Sequence, residues 1–205
     1  MWRAEEVGRK ISASNAQMIS MVMPLIVDSL GGGDVYPVET LATNDFAAKL
    51  DTECGIDLWQ RLPDGGHRGI ASRVQWHYRS WDTFTVRYQL PTGNRTEYDK
   101  LKLAVGNPDG RLHPAVTVQA YISGDMHDPG GLLAAGAMRT DDLVGLLDDP
   151  AVCTRENADG TTFKVVPWSL VEQRDLWFVR VKSDDAIYDP YATTPASTSE
   201  QDLLF

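Results

Sequence analysis

Two cysteines, Cys54 and Cys153, in 205 residues cannot build a disulfide framework. The chain reads as a protein of a reducing compartment. Histidine is nearly as scarce: His67, His77, His113 and His127 fit no zinc spacing, and no C-x-x-C accompanies them. Long apolar runs are missing too. The most apolar stretch, residues 18–27 (MISMVMPLIV), is interrupted by Ser20 and Pro24, and it is about half the ~20 residues of a bilayer span. Glu5 and Glu6 stand early with no small-residue cleavage pattern behind them, so no secretory signal is read. The expectation is a cytoplasmic protein with no membrane partner. The glycines 31–33 lack the following lysine of a phosphate-binding loop. Net positive charge is also absent: the formal charge is −10, which excludes a protein that coats nucleic acid by charge alone.

What is present is the composition of a folded domain, with 42% hydrophobic and 23% charged residues. The acidity is uneven. Residues 61–102 hold eight Lys/Arg against four acids, a local +4, which leaves −14 on the rest. A locally basic face on an acidic body can meet phosphate, and equally it can be a solvated sheet edge.

Three segments are expected: an N-terminal helical arm (1–33), an α/β domain (34–188), and a flexible, disordered tail (189–205) rich in Pro, Ser and Thr. Residues 11–30 read as a helix that Pro24 kinks and the triple glycine stops. Residues 39–50 continue helical, with Leu41, Phe46, Ala47 and Leu50 on one side. Strands are expected over 54–60, 70–77, 83–90, 114–123, 163–168 and 176–182. Asp64-Gly65-Gly66 and Pro91-Thr92-Gly93-Asn94 mark turns. Thr96 followed by Asp99 caps a helix to residue 105, and Thr140 caps another over 140–149. This order predicts an α/β fold with a central mixed β-sheet flanked by helices.

One carboxylate stands out. Asp57 is expected inside a short apolar strand, where a charge is costly unless paired, hydrogen-bonded or bound to a cation. It could cap a neighbouring turn, or it could serve a hard ion such as Mg²⁺, which takes only one or two protein carboxylates beside water and phosphate. On the next strand, alternation places Ile70, Ser72, Val74 and Trp76 on one side and Ala71, Arg73, Gln75 and His77 on the other.

Helix, aspartate-bearing strand (GID, 55–57), hairpin and second strand (IASRVQ, 70–75) resemble the PD-(D/E)XK nuclease superfamily in layout over about residues 39–122. The resemblance implies a restriction-endonuclease-like fold, Mg²⁺ dependence and phosphodiester cleavage in DNA. Asp57 matches the first motif. The acid-x-lysine pair falls at Arg73 and Gln75, so the second acid and the lysine are both replaced. Gln75 could stand in as the orienting polar group, and Glu53, Glu39 and Glu97 are the nearest acids by position. Asp57, Glu53 and Gln75 are therefore the catalytic candidates, with Asp57 and Glu53 on the metal. Arg73, Arg87 and Lys100 are the DNA-contact candidates, although arginines on strands also pair with acids across the sheet.

The chain ends QDLLF. Gln201, Leu203, Leu204 and Phe205 resemble the short peptide through which bacterial replication and repair proteins bind the sliding clamp. An extended segment on a leash can place apolar side chains in a hydrophobic pocket while the glutamine hydrogen-bonds nearby. The two resemblances converge on a bacterial or phage DNA-processing protein. The alternative is an inactive interaction protein that occupies the clamp.

Overall fold

The structure is a computed structural model that describes residues 12–40, 49–50, 52–106 and 112–183. Most of the helix expected over 39–50 lies outside the described residues, as do the tail and the clamp-like peptide Gln201–Phe205. No described helix is long and apolar enough to cross a membrane.

Helical residues 12–17 pass without a break into a π-helical turn, Met18–Val22, and then α1, Met23–Ile26. Pro24 explains the change of pitch. It has no N–H for the Ser20 carbonyl, and its ring crowds that carbonyl. The turn ahead of it widens, so that the Met23 N–H reaches back to the Met18 carbonyl. The kink expected at Pro24 thus takes the form of a π turn. Met18, Val22, Met23, Ile26 and Leu30 are buried along one face. The glycines then reverse the chain, each at positive φ. At Gly33 a Cβ would meet the Arg61 carbonyl oxygen at 2.0 Å, so only glycine fits. Buried Gln60 holds this corner by donating from Nε2 to the Leu30 and Gly32 carbonyls.

The strands are β1 (Asp34–Pro37), β2 (Leu58–Arg61), β3 (His67–Trp76), β4 (Thr83–Gln89), β5 (Val116–Gly124), β6 (Pro129–Arg139), β7 (Cys153–Glu156), β8 (Thr162–Pro167) and β9 (Trp177–Lys182). Six form one sheet in the order β1-β2-β3-β5-β6-β9. Only β3 and β5 run parallel, with Ile70 opposite Val116 and Trp76 opposite Ile122; the other neighbours are antiparallel. The sheet is therefore mixed, as expected. The second sheet, antiparallel β4-β8-β7, was not. Among the described residues, the later helices are α2 (Glu97–Val105), α3 (Thr140–Leu146) and α4 (Trp168–Gln173).

The central sheet is covered on both faces. On one side the buried residues of 18–30 pack on Leu58, Ile70, Val74, Val116, Val118 and Ala135. On the other, Phe84 and Val86 of the small sheet join Leu101, Leu143, Val166 and Trp168 over Tyr121 and Met138. This double coverage makes seven of the nine β5 residues buried, so β5 reads as a continuous apolar run.

One local expectation is corrected and one holds. Thr140 does not cap α3: its N-cap is Arg139, and the Thr140 hydroxyl instead pairs with that of Thr117, 2.9 Å away on β5. The Thr96–Asp99 capping box on α2 forms in both directions.

Candidate functional site

Asp57 lies one residue before β2 rather than inside a strand, after Gly55 at φ +69°. Its backbone is fixed on two sides. The amide donates to the Ile70 carbonyl at 3.0 Å, and its own carbonyl accepts from the Val38 N–H at 3.1 Å. The β2–β3 ladder ends at Leu58 opposite Ile70, so the Ser72 amide lies just past it. Asp57 Oδ2 accepts from that amide at 2.6 Å. That bond fixes the direction in which the carboxylate points.

The half-buried Asp57 opens onto a cavity of about 490 Å³ between the second half of β3 and the small sheet. Gln75 and Arg73 come from β3, Arg87 from β4, Glu97 and Lys100 from the first turns of α2, and Arg155 from β7. Alternation on β3 and the i, i+3 spacing on α2 bring these side chains to one place. Arg73 Nη2 donates to Glu97 Oε2 at 2.6 Å, and the Arg87 amide donates to the same oxygen at 3.2 Å. Arg73 and Glu97 are 23% and 25% exposed, so this pair is largely withdrawn from water. The Thr85 hydroxyl accepts from Arg73 Nη1 at 3.4 Å and from Gln75 Nε2 at 3.3 Å, and it donates to Gln119 Oε1 at 3.2 Å. One threonine thereby orients both β3 residues.

Four cations, Arg73, Arg87, Lys100 and Arg155, face two carboxylates, Asp57 and Glu97. An excess of positive charge gathers in a protein whose total is −10. At Arg87, crowding by protein and then the neighbouring Arg73 charge pull the guanidinium below its ordinary value. The residue is exposed at the rim yet hemmed in by the cavity walls. An anion bridging the two arginines relieves that repulsion.

No protein-family model, curated protein or solved structure matches this chain.

The candidates sort cleanly by place. Asp57, Gln75, Arg73, Arg87 and Lys100 line the one cavity, whereas Glu53 is exposed on the wall of another, with Thr52, Cys54 and Leu112. Lys100 borders both. Glu97 supplies the second carboxylate of the cavity lining. The rest of the basic stretch disperses. Arg61 pairs with Asp34 at the sheet edge, and Arg68 donates to Gln60 at 2.8 Å and to the Leu30 carbonyl. Arg155 and Thr85 were not anticipated. Thr85 alternates with the buried Phe84 and Val86 and so was findable as a residue on the opposite side of β4. Arg155 sits in a four-residue strand exposed throughout, with no periodic signal.

Proposed function

We propose that the chain is a nuclease-like DNA-processing protein, in which a phosphodiester enters the cavity between the two sheets. The observation that carries this reading is the meeting of Asp57, Gln75, Arg73, Arg87 and Lys100 in one cationic cavity from three elements and the loop before β2. Guanidinium groups grip phosphate through paired hydrogen bonds, and lysine adds a point charge. The β2–β3 hairpin, the crossover through α2 and the parallel return on β5 support a restriction-endonuclease-like core.

Among the described residues no group of three or more His, Cys, Asp and Glu gathers at metal-ligand spacing. Mg²⁺ asks for less, one or two carboxylates with water and substrate phosphate making up the shell. Asp57 and Glu97 in one cavity fit that donor set. Bound there, the ion supplies Lewis-acid polarisation of the phosphoryl oxygens and a more acidic water. The protein's own residues bind and orient. Phosphate competes with Glu97 for Arg73, and its arrival frees the Glu97 carboxylate from that pair. Gln75, braced by Thr85, directs its amide at the attacking water. The terminal peptide, Gln201 to Phe205, recruits the domain to the sliding clamp and raises its concentration on DNA.

A second reading, an inactive interaction protein that occupies the clamp, is favoured by the Arg73–Glu97 pair and by Gln75 standing in the lysine position. Plasmid nicking with Mg²⁺ or Mn²⁺ separates the two. Wild type nicks, and Asp57→Asn is slower by at least about a hundredfold, the scale of removing one preorganised charge from a reaction centre, with an unchanged melting temperature. Truncation after Ser199 keeps this activity on free DNA and loses clamp binding in a pull-down. Equal rates for wild type and Asp57→Asn, or none from either, reject the catalytic role.

A further inference from the structure

A second surface adjoins the cavity. Residues 77–81 (HYRSW) leave β3 directly after Trp76, which lines the cavity wall. The His77 ring lies 4.0 Å from Tyr78 and 5.0 Å from Trp81, centroid to centroid. The Arg79 guanidinium sits 4.4 Å over the Trp81 ring and 5.6 Å over Tyr78. Trp81 nevertheless remains 47% exposed. Tryptophan is among the largest apolar surfaces a protein can bury, and here it stands half in water with a cation stacked on it. The loop is braced at both ends. The His77 amide donates to the Ile122 carbonyl at 2.9 Å, while Ser80 Oγ donates to Asp82 Oδ1 at 2.5 Å.

We infer that His77, Tyr78, Arg79 and Trp81 form a base-stacking platform for single-stranded DNA whose phosphates lie in the neighbouring cavity, an inference that rests on the phosphate reading of that cavity. Aromatic faces and an arginine plane stack on any base, but only where the base is not already stacked in a duplex. Reach is adequate. Five residues span at most about 17 Å when extended, and the His77–Trp81 contact folds the loop shorter than that. Even at the ~3.4 Å per nucleotide of a strand stacked in a duplex, a strand covers the gap in a few steps. The acidic remainder of the molecule also disfavours a duplex, whose second strand would bring its own charge against it.

Fluorescence anisotropy of the full chain in EDTA tests this, with labelled oligo-dT, oligo-rU and a DNA hairpin of equal length as probes. The wild type binds oligo-dT more tightly than the hairpin. Trp81→Ala weakens oligo-dT binding by roughly 5- to 150-fold, the weight of one stacked base, and Trp81→Phe restores most of it. Arg87→Ala weakens oligo-dT and hairpin alike. Oligo-dT binding by Trp81→Ala at the wild-type level, with melting temperature unchanged, overturns the platform. Tighter binding of oligo-rU overturns its assignment to DNA. A fault in the cavity reading is distinguishable, because Arg87→Ala would then be silent while Trp81→Ala still weakened the strand.

Discussion

Asp82 shows how a single residue can carry both backbone strain and charge. It holds φ +49° just before β4, and its carbonyl accepts from the Trp168 amide at 2.8 Å, one step past the Thr83–Pro167 pair of the small sheet, while its carboxylate reaches Lys182 and Arg180 of β9 in the central sheet. Burial pushes its carboxyl up, but the Lys182 and Ser80 hydrogen bonds, with Arg180 at 3.4 Å, outweigh that and hold it below the usual carboxylate range. A depressed folded-state value means that the stabilisation is fully present above the unfolded-state value, about 3.9, and is lost as pH falls through the folded one. Asp82→Asn keeps a side chain that tolerates positive φ and removes only the charge. Its melting temperature falls below wild type at neutral pH, and the gap closes below about pH 4. A gap of constant size down to acid pH would assign the loss to shape rather than to ionisation. The same scale explains what the sequence offered at the site. Asp57 announced itself as a carboxylate among apolar neighbours, and alternation fixed the side of β3 that Arg73 and Gln75 share. The partnership of Glu97 with Arg73 depends on where α2 docks, which no local pattern encodes.

Elements were legible where one side of them meets water or polar neighbours. Strands β3 and β4 alternate, and α2 carries its capping box, so all three could be read directly. Strand β6 (PGGLLAAGAMR) was missed because six consecutive residues, 133–138, are buried on both faces and period-two contrast vanishes. Its small residues have a steric cause. A Cβ at Gly136 would stand 2.5 Å from the Trp177 ring and 3.2 Å from that of Trp168, whereas one at Gly131, on the same strand, meets nothing within 4 Å. Gly136→Ala therefore forces the tryptophan pair apart and costs on the order of 1–3 kcal/mol, while Gly131→Ala stays within about 0.5 kcal/mol of wild type. Urea unfolding of the two variants measures the contrast. The membership of β4 in a separate sheet was equally hidden, since a strand's own residues do not name its partner.

At the scale of the molecule the charge is divided, a cationic cavity set in an acidic whole. If Arg73, Arg87, Lys100 and Arg155 all meet phosphate, four contacts give a slope of about −3 in the logarithm of the oligo-dT association constant against the logarithm of salt concentration. A slope near zero would mean that binding is not carried by phosphate. The central sheet has a further consequence, this time in time rather than in affinity. Its parallel pair, β3 and β5, is separated in sequence by the whole excursion 77–115, which includes β4 and α2. That loop's closure entropy must be met before the pair gains any hydrogen bonds, and β9 waits on β6 across a comparable distance. A chain so dominated by distant pairings reaches its native state on the millisecond-to-second scale rather than in microseconds, and the cavity, whose lining comes from both sheets, needs both of them formed.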